Sequence, residues 1–246
     1  MVRLTVVDHR LSARRVTASL EQLCRDVRAL LLDFDGPVCS IFANYPAPQV
    51  ARELLDLLVS QGLALTNELA EESDPLEVLR HTGSSTDQEL TRLVEDALIA
   101  AEVKAASTAE PTAYGREVIV AARQLQLPIA VVSNNSPQAV DAYLREHRLS
   151  QHVAKTVGRA YADPLRMKPN PTPIVDAAAS LGVVPALCVL VGDSLSDIEG
   201  AKAAGTRVIG YANKPAKVAA FQEAGVDAVV TSMRQIAQAL MQVEDL

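Results

Sequence analysis

A chain of 246 residues is long enough for one large domain, or for a core domain carrying an insert. Its hydrophobic content of 49% and mean hydropathy of +0.13 fit a compact soluble protein with a sizeable core. The net charge of -7, sequence pI of about 5.2, 3% aromatic content and lack of Trp argue against a nucleic-acid partner or an anionic membrane surface.

Cys24, Cys39 and Cys188 form no CxxC and are odd in number, so they read as packed thiols in a reducing compartment. The four histidines show no zinc-ligand spacing. Met1 to Arg15 lacks an apolar signal core and no run approaches membrane-spanning length, so the expected location is cytoplasmic. Nothing in the pattern sets an oligomeric state.

Leu20, Leu23 and Val27 recur at helical spacing, so residues 1 to about 27 read as a short leader and a helix. Ala29 to Leu32 is a continuous apolar run, expected of a central parallel strand buried on both faces. It breaks into Asp33-Phe34-Asp35-Gly36-Pro37. In extended chain, side chains two residues apart share a side, so Asp33 and Asp35 emerge together at the carboxyl end of the strand.

From about Ile41 to Thr112 the pattern is helical only. Pro48 can open a helix with Val50, Leu54, Leu57 and Leu58 on one face. A second helix over Gln88 to Ala105 carries Leu90, Leu93, Val94, Ala97, Leu98 and Ala101 in register. Between them, Glu68 to Thr86 is acidic and then polar, with loop signals at Ser73-Asp74-Pro75 and Thr82-Gly83-Ser84-Ser85. An insert placed directly after the first strand would lie over the carboxyl end of the sheet. The expectation is a helical cap over residues 41–112, on a core built from residues 1–40 and 113–246.

After Thr112, helices and strands alternate to the end. Strands are expected at Ile129 to Val132, His152 to Val157, Leu187 to Val191, Arg207 to Ile209 and Ala228 to Val230. The helices between them run from Gly115, Ser136-Pro137, Thr172-Pro173, Ser196-Asp197 and Ala216, with a last one from Ser232. This is the signature of an α/β fold with a doubly wound, mostly parallel, Rossmann-like sheet.

Three of the apolar strands end in residues suited to chemistry: Asp33 and Asp35, Ser133 and Asn134, and Asp193 with Asp197 close behind. Lys168 precedes a Pro-Asn-Pro loop between the second and third. Parallel strands put such ends side by side. Asp33, Asp193 and Asp197 would supply hard oxygen ligands of the kind Mg²⁺ takes, although Asp197 is also what a helix dipole favours in a first turn. Ser133 and the Asn134 backbone N–H can donate to phosphate oxygens, and Lys168 adds a compact positive charge. Asp33 could then attack phosphorus as nucleophile, with Asp35 as general acid and base.

The segments Asp33-Phe34-Asp35-Gly36, Ser133-Asn134, Lys168-Pro169 and Gly192-Asp193-Ser194-Leu195-Ser196-Asp197 resemble, in order, the four motifs of the haloacid dehalogenase-like (HAD) superfamily. The resemblance covers nearly everything from Leu30 to about Gly210, with the insert matching that superfamily's helical cap between motifs one and two. It implies the same roles and adds the Asp35 backbone carbonyl as a Mg²⁺ ligand. One residue departs: Pro37 stands where the family usually has Thr, which removes a hydroxyl and an N–H from the turn.

The expected function is a Mg²⁺-dependent phosphatase acting on a small phosphorylated metabolite through an aspartyl-phosphate. Phosphoglycolate-, sugar-phosphate- and nucleotide-like substrates are all compatible with it. A phosphomutase would use the same phosphoenzyme but needs cap groups for a bisphosphate intermediate, and no such motif is evident. A catalytically silent ligand-binding protein on the same fold is the alternative from another class. Dehalogenation is disfavoured because it calls for neither Asp35 as leaving-group acid nor the metal cluster. Cys39 has no base beside it and reads as a packed thiol, and Arg80, His81 and Lys104 read as surface residues.

Overall fold

The structure, a computed structural model, describes residues 20–84 and 87–244. The leader expected over residues 1–19 and Ser85 of the loop signal lie outside the described residues. Helix α1 (20–26) is followed by β1 (Ala29–Leu32), β2 (Cys39–Ser40), α2 (Ala47–Ser60), α3 (Asn67–Ala70), α4 (Pro75–Gly83) and α5 (Gln88–Ala106). Then come β3 (Glu110–Pro111), α6 (Gly115–Gln124), β4 (Ile129–Val132), α7 (Pro137–Glu146), β5 (Lys155–Val157) and α8 (Thr172–Ser180). The chain continues through β6 (Cys188–Gly192), α9 (Leu195–Ala204), β7 (Arg207–Tyr211), α10 (Ala216–Glu223), β8 (Ala228–Val230) and α11 (Met233–Glu244).

Six strands form one parallel sheet in the order β5-β4-β1-β6-β7-β8. The sheet is doubly wound, as the strand-helix alternation predicts. Alternate residues of its central strands feed two different cores. Leu30, Leu32, Ile129, Val131, Val189 and Val191 join α6, α7 and α11 on one face. Ala29, Leu31, Ala130, Val132, Cys188 and Leu190 join α8, α9 and α10 on the other. A strand covered on both sides has no polar face, which is why β1, β4 and β6 read as unbroken apolar runs.

Helices α2 to α5 lie between β2 and β3, which pair antiparallel at Cys39 with Pro111 and Ser40 with Glu110. The acidic and polar stretch before α5 is more ordered than its composition suggests. Thr66 caps α3 by accepting from the Leu69 N–H, and Asp74 caps α4 by accepting from the Leu76 N–H with Pro75 in its first turn. What reads as the loop spelling Ser73-Asp74-Pro75 is therefore a helix start.

The insert joins the core of one sheet face rather than forming a separate one. Val94 and Leu98 of α5 belong to the same apolar cluster as Val140 and Tyr143 of α7, and the two helices pack together. Next to this contact lies a fully buried ion cluster. Arg159, just after β5, pairs with Glu95 (2.8 Å) and Glu102 (2.8 Å) of α5, all three side chains at 0% exposure. Burial pushes the Glu95 carboxyl up and Arg159 pulls it back, with the burial effect the larger. Such a cluster contributes little net stability, because desolvation offsets the attraction, but losing one partner strands the others. Arg159→Met is expected to lower unfolding free energy by about 3–5 kcal/mol, read by urea denaturation. A loss below about 1 kcal/mol would mean the carboxylates find another partner or water.

Candidate active site

β1, β4 and β6 are neighbours, so Asp33, Ser133 and Asp193 emerge along one edge of the sheet. The Asp33 N–H continues the ladder by donating to the Val191 carbonyl at 2.9 Å. Phe34 turns the other way, into the core, where it meets Tyr143 edge-on at 5.3 Å. Asp33 and Asp35 both face a cleft of about 580 Å³ together with Ser133, Asn134, Lys168, Asp193 and Asp197. The distant stretches that carry the four motifs thus meet in one place.

The turn after Asp35 is tight. The Gly36 N–H donates to Cys39 O (2.7 Å), and the Val38 and Cys39 N–H groups both donate to Phe34 O. None of these bonds uses an N–H at position 37, so Pro37 costs the turn nothing there. A hydroxyl is supplied from elsewhere: Thr112 Oγ1 donates to the Gly36 carbonyl at 2.5 Å. Gly36 itself is required twice over. Its φ is +111°, and a Cβ there would lie 2.4 Å from Asp193 Cγ.

Lys168 is the hub. Its ammonium contacts Asp33 Oδ1 at 2.8 Å, Asp197 Oδ1 at 2.6 Å and the Val132 carbonyl at 2.8 Å, with the residue only 1% exposed. Burial opposes its charge, but Asp197 and Asp33 outweigh that and push its pKa up. Asp33 is pushed up by burial first and by Asp197 next, with Lys168 pulling it back. Asp35, raised chiefly by burial against the Ile41 N–H that donates to its Oδ1 (3.0 Å), sits at about 6.

Asp197 occupies a different helical position from the one expected. The capping residue of α9 is Ser194, whose extended φ and ψ of -125° and 160° turn the chain off β6, and Asp197 is the third helical residue. Asp197 Oδ2 accepts from the Ser194 N–H (3.1 Å) and Oγ (2.6 Å) to close a capping box, while Oδ1 faces Lys168. One side chain thus starts the helix and anchors the lysine.

Ser133 Oγ accepts from the Asn135 N–H (3.0 Å) and lies 3.1 Å from Asn135 Oδ1. The Asn134 side chain is engaged with the main chain of Lys168. Its Oδ1 accepts from the Lys168 N–H (2.8 Å) and its Nδ2 donates to the Lys168 carbonyl (3.1 Å). Phosphate contact by Asn134 would therefore fall to its backbone N–H, the group that the sequence singles out.

Several neighbours carry no sequence signal of their own. Lys217 donates to Asp193 Oδ2 and to its carbonyl, both at 2.6 Å, and Asn213 Nδ2 adds a bond of 2.9 Å to Oδ2. Asn213 follows β7 at the same sheet edge, so reading that strand to Tyr211 instead of Ile209 would have suggested it. Arg80 of α4 lines the cleft rather than a remote surface, while Lys104 lies over the Tyr45 ring, 4.0 Å from its centroid. Cys39 is a buried thiol whose pKa is pushed far up by burial and then by Asp35 and Asp33, which leaves it inert.

Residues 27–205 match the family model for haloacid dehalogenase-like hydrolases. The chain belongs to that family. A phosphoglycolate phosphatase from Pectobacterium atrosepticum is 27% identical over 195 residues, covering 75% of this chain and 80% of that protein. One from Neisseria meningitidis is 36% identical over 89 residues, and that match spans 37% of its length and 36% of this chain. Among solved structures, a predicted phosphatase from Clostridium acetobutylicum superposes with a TM-score of 0.69 at 15% identity, covering 88% of this chain and 99% of that one. A HAD family hydrolase from Deinococcus radiodurans R1, solved with bound phosphate and sodium, gives 0.59 at 22% identity, covering 90% and 98%. At such identities the two structures establish the shared HAD-type α/β fold.

The family's fourth motif also explains why Gly192 ends β6. A Cβ there would lie 2.4 Å from Asp197 Cβ. Gly192→Ala is expected to force Asp197 off its capping position and to cost about 1–3 kcal/mol in thermal or urea unfolding, the range for overpacking a tight site. An unchanged midpoint would show that α9 shifts without strain.

Proposed function

We propose that this chain is a Mg²⁺-dependent phosphomonoesterase acting on a small phosphorylated metabolite, with residues 41–112 serving as a cap over a core of residues 1–40 and 113–246. The observation that carries the proposal is the convergence of a lysine-paired buried carboxylate, Asp33, with Asp35, Asp193 and Ser133 in one cleft. The phosphoglycolate phosphatases among its relatives, and the phosphate bound to the Deinococcus radiodurans hydrolase, support it. Three buried free cysteines suit the reducing cytoplasm as its compartment, and among the described residues no helix is long and apolar enough to cross a membrane.

The donor set fits the cation. Asp33, Asp193 and Asp197 each offer a carboxylate oxygen, and these lie within 4.8 Å of one another. Asp193 is held by Lys217 and Asn213 through Oδ2 and turns Oδ1 toward Gly36. These carboxylates, with the Asp35 carbonyl, would hold Mg²⁺, which prefers such hard oxygen ligands. When bound, the ion would offset the carboxylates' charge and polarise a phosphoryl oxygen.

In this reading an Asp33 oxygen attacks phosphorus and the bond to the ester oxygen breaks. Asp35 gives its proton to that departing oxygen. Asp35, now a carboxylate, takes a proton from water, whose oxygen attacks phosphorus and releases Asp33 and inorganic phosphate. Ser133 and the Asn134 N–H meet the phosphoryl oxygens, while Lys168, engaged by Asp33, Asp197 and the Val132 carbonyl, contributes its charge.

Asp33→Asn is expected to abolish phosphate release, and Asp193→Asn to abolish the rise in melting temperature that Mg²⁺ produces in the parent protein. Retained Mg²⁺-dependent turnover in the Asp33 variant would overturn the mechanism. Failure of the folded, Mg²⁺-loaded parent to release phosphate from a broad ester panel would favour the catalytically silent reading.

The insert side of the cleft narrows the substrate. It presents Asp74 and Glu77, and its cation, Arg80, is engaged with Glu77 (3.0 Å) and with core carbonyls. Both carboxylates are exposed, so their repulsion of an anionic leaving group is screened but keeps its sign. An ester with an uncharged hydroxylated leaving group should therefore exceed phosphoglycolate in kcat/KM by up to about fivefold, the scale of an exposed charge contact. Equal or better turnover of phosphoglycolate would refute this selectivity. The same lining disfavours a phosphomutase, whose bisphosphate intermediate needs cationic groups at the cap.

A further inference from the structure

We propose that Arg80 is a positioning residue for Lys168, acting through the lysine's main chain and so making the insert part of the catalytic machinery; the kinetic consequences rest on the phosphomonoesterase reading. Lys168 lies in a loop that is neither strand nor α-helix. A short 3-10 turn at Pro164–Arg166 precedes it, and Leu165 is 64% exposed. Yet the lysine side chain must thread between Asp33 and Asp197 with little tolerance. Its main chain is held from two sides. Asn134 grips both its N–H and its carbonyl from the core, and Arg80 Nη2 donates to the same carbonyl at 2.8 Å from α4.

A second contact seats α4 on this loop. Arg80 Nη1 points to the Pro164 carbonyl at 3.4 Å, and Gly83 packs so closely on Pro164 that a Cβ would lie 2.2 Å from its Cγ. Glu77 accepts at Arg80 Nε and aims the guanidinium at the loop. The planar fork serves three acceptors in different directions, which a lysine ammonium at that distance does not reproduce. Contact with substrate would demand the same donors, so the two roles predict different kinetics.

The experiment compares Arg80→Met, Arg80→Lys and Gly83→Ala with the parent protein and the Asp33→Asn control. The substrates are p-nitrophenyl phosphate, a neutral sugar phosphate and phosphoglycolate. A displaced Lys168 should lower kcat by about tenfold to a hundredfold for every ester alike, since misplacement by about 1 Å has that effect. KM should stay within about twofold, and added guanidinium should restore part of the loss in Arg80→Met but not in Gly83→Ala. A loss confined to the anionic ester, or expressed in KM alone, would make Arg80 a substrate contact and overturn the proposal.

Hydrogen exchange supplies a readout independent of turnover. The N–H groups of Arg166, Met167 and Lys168 donate to Asp163, Pro164 and Asn134. In the Arg80 and Gly83 variants these amides should exchange at least about fivefold faster, with the central strands unchanged. Unaltered exchange would overturn the proposal even if the parent protein hydrolysed no ester, an outcome that by itself would count against the phosphomonoesterase reading alone.

Discussion

The buried ammonium of Lys168 is the contact on which the site depends. The ends of β1 and β6 place Asp33 and Asp193 side by side, and the first turn of α9 adds Asp197. Burial first, and the neighbouring Asp197 charge next, push the Asp33 carboxyl well above the usual carboxylate range. Lys168 opposes this from inside, touching Asp33 and Asp197 at once, and its third bond to Val132 O ties it to the strand that carries Ser133. The lysine is therefore structural before it is chemical: it lets an acidic cluster exist at the heart of an acidic protein.

That constraint spreads outward through polar contacts rather than apolar ones. Asn134, one residue beyond Ser133, holds the main chain of Lys168. The Asn134 carbonyl accepts from Arg159 at 2.7 Å, and Glu102 of α5 accepts from Arg159, from Asn135 Nδ2 and from the Ser136 N–H. Arg80 of α4 reaches the Lys168 carbonyl. Two insert helices are thus bonded to the two loops that line the cleft beside Asp33. Directional bonds of this kind specify geometry, whereas the shared apolar cluster beneath α5 supplies the burial energy, at about 1.5–3 kcal/mol for each large side chain.

Legibility in the sequence followed the range of the interactions involved. Unbroken apolar runs with abrupt polar ends marked β1, β4 and β6 because a doubly covered strand has no polar face to interrupt it. Asp33 and Asp35 could be placed on one side from the period of extended chain alone, with Phe34 opposite. Short elements did worse. The two-residue strands β2 and β3 have no periodicity to read, and α3 and α4 hid in an acidic stretch where Thr66 and Asp74 act as caps. The start of α9 was placed late because Ser194 and Ser196 both look like capping residues, and the choice is made by where β6 releases the chain.

By itself, the sequence determined the α/β class, the strand-helix alternation and the set of charged residues able to share a crevice, since each is written in local period and composition. Only the tertiary structure decided which groups pair. Lys168 lies 135 positions from Asp33, and Arg159 lies 64 from Glu95. Partners at such separations are chosen by strand order and helix packing, and no local pattern encodes them. The same holds for the turn before Pro37, whose Gly36 carbonyl accepts from Thr112, 76 positions away, a contact that no local pattern encodes.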